Sequence, residues 1–215
     1  MFHSEAREAW RLAGLGGPKL FAFFAFFAFS RTILVPGAAR IPYLFVVRTY
    51  LARPLTSEAF APFGHVLEIT PALGEGKSVN MGTARRHNAV LDVENLRSSA
   101  RLNVAAFRCQ PSKPGRFPVI EVEKHPHSGQ LFVPLNATRY MVAVAHGKEA
   151  PDLGTLEVFL ANGRQGVCYG PGIWHQPMIV FDVETDFSCF VWEDGSPEDC
   201  IPYVLSKDEI VTVEL

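Results

Sequence analysis

Two short motifs carry side chains of the kinds that move protons or bind metal ions. Glu123 and His125 are separated by a single residue, Gln130 follows them, and His175 ends the segment Pro-Gly-Ile-Trp-His at 171–175. Side chains alternate between the two faces of a strand, so Glu123 and His125 are expected to share one face. A bend after His125 would return Gln130 to that face, and a second strand would bring His175 to it. The spacing therefore predicts one site made from remote parts of the chain.

The predicted site combines two imidazole nitrogens, one carboxylate oxygen and one amide oxygen. Such a mixed set suits a divalent transition metal with open coordination positions, and the predicted ligands are Glu123, His125, Gln130 and His175. The alternative is a hydrogen-bonded pair of Glu123 and His125 with no ion. Because a histidine titrates near neutral pH, His125 and His175 are also candidates for proton transfer, with Glu123 as a base or a ligand. Spacing leaves the choice of base and acid open.

Short extended segments surround these motifs and would position them. Thr56 or Ser57 can cap a short helix that runs through Phe60, because a hydroxyl accepts hydrogen bonds from the first-turn amides. Elsewhere short strands are separated by Pro, Gly and Asn, which favours an antiparallel sandwich or barrel over alternating strands and helices. A barrel closes its edges and leaves an interior mouth for a ligand. The candidate strands are 103–108, 119–124, 130–134, 139–145, 156–161, 166–169, 178–181, 187–193 and 210–214.

His127 would complete a His-x-His pair with His125, yet it is predicted to lie outside the site. It would share the face of His125 only in a regular strand, and Pro126 and the pair Ser128-Gly129 disturb that regularity. We therefore expect His127 at the rim.

Composition indicates an ordinary globular protein and argues against nucleic-acid binding. The 215 residues include 20 Lys and Arg and 22 Asp and Glu, for a formal net charge of −2, and they contain no dense basic cluster that would bind phosphate backbones. The four cysteines are far apart, with no Cys-x-x-Cys pair to indicate zinc or a redox dithiol. We expect reduced, structural thiols at Cys109, Cys168, Cys189 and Cys200.

Residues 1–48 differ from the rest and are interpreted as an N-terminal extension, with a single domain over 49–215. The apolar run at 20–29 is shorter than the about 20 residues that a helix needs to cross a bilayer, so no stable membrane span is predicted. The excess of arginine over acidic residues in the extension suits a targeting peptide or an interfacial helix. The alternatives are a poorly ordered extension or a misassigned start codon. We expect a cytoplasmic protein, with organelle targeting by the extension left open.

The spacing Glu-x-His-x4-Gln with a later Pro-Gly-x-x-His is similar, in modified form, to the two metal-binding motifs of the cupin β-barrel. In that comparison Glu123 stands at the position of the first histidine, His125 at the second, Gln130 at the glutamate and His175 at the third histidine. With further matching positions, residues 49–215 resemble the ureidoglycolate lyases, also called ureidoglycolate hydrolases. Those positions are Phe60, Phe63-Gly64, Asn80, Gly82, Phe107-Arg108, Pro151-Asp152-Leu153 and 162–167.

The resemblance implies a mainly β protein, a cupin-like antiparallel β-barrel with a few short peripheral helices. It implies a carbon–nitrogen lyase that cleaves ureidoglycolate to glyoxylate and urea in allantoin and purine degradation. A homodimer and a divalent metal, nickel, manganese or zinc, are expected with it. The catalytic residues expected on this basis are Glu123, His125 and His175.

Substrate contacts are predicted from residue type. A guanidinium binds a carboxylate through two hydrogen bonds and stays charged, so the substrate carboxylate is expected near Arg85, Arg86 or Arg108. The candidates for the urea end and the pocket wall are Gln130, Gln165, Tyr169 and Trp174.

Two other functions remain open from the sequence. The same barrel could serve another cupin-type, metal-dependent enzyme that acts on a small hydroxy acid, and an oxygenase would use two histidines and one carboxylate on iron. A barrel that binds a metabolite without turning it over is the third interpretation, because a fold alone does not fix function. Metal identity and product analysis would separate the three.

Overall fold

Strands are the predominant secondary structure in the part of the chain that this computed structural model describes, residues 48–88 and 90–215. The extension expected at 1–48 lies almost wholly outside the described residues, so the expectations for it stay predictions. Within the described ranges, no helix is long and apolar enough to cross a membrane.

A single short α-helix occurs in these ranges, α1 at Ser57–Phe60. Thr56 caps it, because its hydroxyl accepts a hydrogen bond from Ala59 N at 3.2 Å. Phe60 is fully buried, which fixes the helix on the core, and the predicted short helix is confirmed. The strands are β1 Thr49–Leu51, β2 Arg53–Pro54, β3 Gly64–Leu67, β4 Lys77–Val79, β5 Ala84–Arg86, β6 Arg101–Cys109, β7 Arg116–Val119, β8 Glu121–Lys124, β9 Gln130–Pro134, β10 Arg139–Ala145, β11 Glu157–Asn162, β12 Gly166–Tyr169, β13 Trp174–His175, β14 Ile179–Phe181, β15 Thr185–Glu193, β16 Ile201–Val204 and β17 Val211–Glu214.

These strands pair into three larger sheets and one separate hairpin. The five-stranded sheet has the order β3-β12-β9-β15-β6. The seven-stranded sheet has the order β16-β8-β13-β10-β11-β2, with β14 also paired to β10. A three-stranded sheet has the order β1-β17-β7, and β4 pairs with β5 alone. Among the described strand pairs only β1 with β17 and β2 with β11 are parallel, beside one isolated parallel bridge, so the predicted mainly antiparallel β fold is confirmed.

Strand β10 shows how the sheets stack, because it is buried on both faces. Tyr140, Val142 and Val144 face an inner core that they share with the five-stranded sheet. The ring of Tyr140 lies 5.2 Å from that of Phe187 on β15, edge to face. The intervening residues of β10 face an outer core shared with Val213 and other residues of the three-stranded sheet. The inner core thus lies between the two largest sheets, as expected for a cupin-like barrel.

One predicted strand is divided in the structure. The sequence predicts a continuous strand over 119–124, whereas the chain changes sheets at Ile120. Val119 pairs with Val211 in the three-stranded sheet, and β8 pairs with β16 in the seven-stranded sheet. Val119 and Val122 both face the outer core, with two exposed residues between them, so the alternation shifts by one residue at the junction. The prediction of one strand was wrong for this reason.

Candidate active site

The pairing of β8 with β13 brings the two sequence motifs together. His175 lies directly opposite Glu123 in the antiparallel register of these strands. Their neighbours point the other way: Trp174 belongs to the outer core, and Lys124 Nζ lies 4.6 Å from the centre of the Trp174 ring. Strand alternation therefore directs Glu123, His125 and His175 to the inner side of the sheet, and Trp174 to the opposite side.

The side chains of Glu123, His125 and His175 form a compact cluster. Glu123 Oε1 lies 3.5 Å from His175 Nε2 and 4.0 Å from His125 Nε2. One ligand atom of each residue lies within 4.8 Å of those of the other two, a separation at which one metal ion could be bound by all three. The two histidines are 5% and 2% exposed, whereas the Glu123 side chain is 33% exposed, so the imidazoles are shielded from water and the carboxylate is in contact with it.

Backbone carbonyls fix the orientation of both imidazole rings. His125 Nδ1 lies 2.6 Å from Asp199 O, and His175 Nδ1 lies 3.0 Å from Ile173 O. A carbonyl oxygen can only accept, so each Nδ1 carries a hydrogen and donates it. In a neutral ring the other nitrogen then has a free lone pair, and both Nε2 atoms lie near Glu123. Each ring is therefore oriented to bind a metal or to accept a proton through Nε2.

Charge within the cluster is set by burial and by the histidines. Burial alone would raise the pKa of Glu123, but favourable electrostatic interaction with the nearby His175, and then with His125, outweighs it and lowers that pKa to about 2. Burial, followed by the neighbouring His175, lowers the pKa of His125 below its usual value. At neutral pH the carboxylate is ionised and the His125 ring is neutral.

Gln130 and Tyr169 add two more polar groups on the inner side of the five-stranded sheet. They are paired across β9 and β12, and the Tyr169 ring stacks on His175 at 4.0 Å with a 7° tilt. Among the described residues, Gln130 Oε1, Tyr169 Oη and both histidine Nε2 atoms are buried without a hydrogen-bond partner. Buried polar atoms are normally paired, so four exceptions in one region are typical of a site for a polar ligand.

Three of the predicted substrate contacts have other partners. Arg108 lies on the surface of β6, where its Nε and Nη2 donate to Asp186 at 2.8 Å each. The side-chain amide of Gln165 donates to Leu55 O and to a carboxylate oxygen of Glu68. Trp174 packs in the outer core against another aromatic ring. The structure therefore does not bring these three side chains to the cluster.

Arg85 and Arg86 lie on the β4–β5 hairpin and line a surface cavity of about 650 Å³ with residues that include Leu67, Ile69 and His87. The cluster of Glu123, His125 and His175 does not line this cavity. The two arginines therefore line a cavity to which the cluster does not contribute.

His127 and Cys200 flank the cluster. His127 Nε2 lies 2.9 Å from a carboxylate oxygen of Glu198, and its side chain is 34% exposed, so it occupies the rim. The Cys200 thiol donates to Glu123 Oε2 at 3.5 Å. No local motif marks Cys200, and β16, the strand that begins at the next residue, was not among the predicted strands, so sequence reasoning missed this contact.

Comparisons with known proteins agree with the geometry. The family described as ureidoglycolate lyase matches residues 47–213. A ureidoglycolate lyase of Brucella anthropi is 40% identical over 171 residues, which cover 78% of this chain and 96% of the relative. One of Pseudomonas aeruginosa is 35% identical over 164 residues, covering 76% and 94%.

Among solved structures, a 3,4-ketoisomerase from Helicobacter canadensis is 16% identical, with a TM-score of 0.35 over 63% of this chain and 87% of that one. The family match covers far more than half of the chain, and the relatives are matched over nearly their full length. The chain therefore belongs to the ureidoglycolate lyase family.

Proposed function

We propose that this protein is a ureidoglycolate lyase that releases glyoxylate and urea in allantoin and purine degradation. Family membership supports the substrate class. The observation that carries the proposal is the cluster of Glu123 with the buried His125 and His175, in which both histidine Nε2 atoms lack a partner among the described residues. A reaction that removes one proton and supplies another needs such a set of titratable groups.

The reaction is an elimination. In ureidoglycolate one carbon bears a hydroxyl, a carboxylate and a urea nitrogen. When a base takes the hydroxyl proton, the O–H electron pair forms the carbonyl of glyoxylate, and the C–N bond breaks with its electrons moving to nitrogen. A proton delivered to that nitrogen completes urea. No water is consumed, so the site needs a base, an acid and polar contacts for the substrate.

The cluster supplies the proton-transfer groups in this proposal. Glu123 is ionised at neutral pH, and its Oε1 lies 3.5 Å from His175 Nε2, so a proton can pass between them. His125 presents a second lone pair at 4.0 Å from the same oxygen. Because the Nδ1 atoms of both rings donate to backbone carbonyls, proton transfer is directed to Nε2.

We propose Gln130 and Tyr169 as the substrate contacts beside the cluster. Within residues 48–88 and 90–215, Gln130 Oε1 has no hydrogen-bond partner, and as an acceptor it suits the N–H groups of the urea end. The Tyr169 hydroxyl has no partner in the same ranges, and burial raises its pKa well above the usual value, so it stays protonated and can donate to a substrate oxygen. Their positions favour them over Gln165 and Arg108, whose polar atoms already have partners.

We further propose that Glu123, His125, His175 and Gln130 can hold a divalent transition metal such as nickel, manganese or zinc. The fit rests on the two free Nε2 atoms, an ionised carboxylate and the unpartnered Gln130 oxygen. A bound divalent ion would supply positive charge to polarise the substrate hydroxyl and carboxylate. The same Nε2 lone pairs can either bind a metal or accept a proton. Measuring activity as a function of metal content distinguishes these two roles.

A second function is favoured by one feature of the same cluster. Two histidines and one carboxylate also form the facial set with which iron oxygenases bind their metal. Iron in the purified protein, together with consumption of oxygen, would favour that function over the lyase.

We propose that the protein acts as a homodimer. Strand β6 lies at the edge of the five-stranded sheet. It exposes apolar side chains on both faces, with Leu102 46%, Val104 61% and Phe107 44% exposed. A long apolar edge strand is prone to pair with another chain, and a second copy would cover it. Light scattering after size-exclusion chromatography should give twice the mass of one chain. In Val104→Lys, which places a charge on this strand, the measured mass should fall to that of one chain.

The cytoplasm is the proposed location, and the four cysteines support it. All four are free thiols in the structure, as expected for a reducing compartment.

The deciding experiment is a product assay. Purified protein supplied with ureidoglycolate should release glyoxylate and urea in equal amounts without ammonia. Release of ammonia would indicate hydrolysis of the ureido group and would remove the lyase assignment.

A further inference from the structure

Arg97 is a mostly buried arginine that binds a loop beside the cluster. Its side chain is 14% exposed. Nη1 donates to Asp194 Oδ1 and to Ser196 Oγ, both at 2.9 Å, and Nη2 donates to the carboxylate of Asp199. One guanidinium therefore ties together three residues of the loop 194–199.

Asp199 connects this loop to His125. Its Oδ1 accepts from Asp194 N at 3.0 Å and its Oδ2 accepts from Gly195 N at 2.6 Å, so the loop closes around its own carboxylate. The carbonyl oxygen of the same residue accepts the Nδ1 hydrogen of His125. The side chain of Asp199 thus fixes the backbone that orients the ring.

The backbone next to Arg97 is fixed to the turn that follows His125. Gly129 N donates to Glu94 O at 2.8 Å, and Leu96 N donates to His127 O at 2.9 Å. The backbone beside Arg97 therefore binds the turn after His125, and the Arg97 side chain binds the loop 194–199. Both of these segments lie next to His125.

Removing the guanidinium would leave Asp194 and Asp199 close together without a cation. Like charges in a partly buried loop repel, and an unpaired buried carboxylate is costly. The loop would open to hydrate these groups, and the direction of the Asp199 carbonyl would no longer be fixed.

We propose that Arg97 is a positioning residue for His125. Acting through Asp199, it holds the Asp199 carbonyl against Nδ1–H, so that Nε2 of His125 faces Glu123 and His175. The inference deepens the proposed function, since His125 belongs to the proposed catalytic set. It requires no contact between Arg97 and the substrate.

The effect should be confined to one histidine. His175 Nδ1 donates to Ile173 O, within its own turn, and makes no described hydrogen bond to the loop 194–199. A change that acts only through this loop should alter His125 and leave His175 as it is. General loss of packing would alter both rings.

The test is the tautomer of each ring in protein labelled with nitrogen-15 histidine, read by NMR without substrate. In the natural protein both rings should show a protonated Nδ1 and a free Nε2. The signals of each ring are assigned by their loss in His125→Gln and in His175→Gln. In Arg97→Ala, His125 should become a mixture of tautomers while His175 keeps its signals. The value of kcat/KM should fall about 10- to 100-fold, as is usual when a group behind a site residue is removed.

Arg139→Ala is the matched control. Like Arg97, Arg139 forms an ion pair with an aspartate: it makes two hydrogen bonds to Asp182, at 2.8 and 3.0 Å, and through them it contacts no residue of the cluster. This variant should change neither histidine nor kcat/KM. If Arg97→Ala does not fold, Arg97→Lys is measured instead, because an ammonium keeps the charge but replaces only part of the fork of hydrogen bonds.

Unchanged His125 signals in a folded Arg97 variant would overturn the inference, and so would equal changes in both histidines. The NMR measurement does not depend on turnover. A protein that releases no urea but shows the selective His125 change would defeat the proposed function and leave the role of Arg97 standing.

Discussion

Replacing Tyr169 by phenylalanine should make the protein more stable and less active. The Tyr169 hydroxyl is buried, and among the described residues it has no hydrogen-bond partner. Its ring is fully packed, stacked on His175 and close to Phe60 and Phe132. Tyr169→Phe keeps all of these ring contacts and removes only the oxygen.

The size of both effects follows from the hydroxyl. A buried polar group without a partner costs about 1–3 kcal/mol, so removing it should raise the free energy of unfolding by about 1 kcal/mol. For a chain of this length that corresponds to a rise in Tm of about 2–4 °C. If the hydroxyl donates to the substrate, a hydrogen bond of about 1–3 kcal/mol is lost, and kcat/KM should fall by about 5- to 150-fold.

Tyr140→Phe is the control with the opposite sign for stability. The Tyr140 hydroxyl is equally buried but donates to Gln165 O. Its removal leaves that carbonyl without this donor, so unfolding in guanidinium chloride should require about 1 kcal/mol less. Activity is followed by glyoxylate release. A Tyr169→Phe protein that is less stable than the natural one, or fully active, would refute the reasoning.

Further predictions concern the cluster and the thiols. His175→Ala should abolish turnover in a folded protein, whereas His127→Ala should keep much of it, and equal losses in glyoxylate release would contradict their separation. If a metal is held, chelation should remove activity and one divalent ion should restore it, while full activity without an ion by elemental analysis would leave only acid–base chemistry. The pKa of Glu123 is lowered from 4.5 to about 2, so its stabilising contribution is present above pH 4.5 and lost as the pH falls through 2. The difference in unfolding free energy between the natural protein and Glu123→Gln should shrink over that range; a constant difference would contradict it. Burial raises three thiol pKa values to about 12, so alkylation at pH 8 should be slow until the protein is unfolded, and fast labelling of the folded protein would disagree. These thiols are Cys168, Cys189 and Cys200.

The arrangement of the cluster follows from a pattern that the sequence contains. Residues two apart on a strand share a face, which places Glu123 with His125, and a second strand ending at His175 can add its ring. The structure has this arrangement because β8 and β13 are neighbours. Alternation also explains why Trp174, next to His175, lies in the outer core.

Contacts that depend on register or on loops could not be predicted in this way. Arg108 has Asp186 directly opposite on β15, a pairing that fixes its charge on the surface. Sequence alone does not give the partner strand or the register, so Arg108 was predicted to bind the substrate carboxylate. The carbonyl of Asp199 and the thiol of Cys200 reach the cluster from the segment that precedes β16, which has no motif of its own.

Strand β13 is only two residues long, and those two residues face opposite cores. Trp174 anchors this strand from behind, so the placement of the His175 ring depends on a residue whose side chain lies in the outer core. In a growth-based screen of every substitution, changes of Trp174 would therefore impair growth as changes of the reactive side chains do. Separating the two kinds of hit requires soluble yield to be measured for each variant, because a poor anchor lowers both yield and turnover whereas a lost imidazole lowers turnover alone.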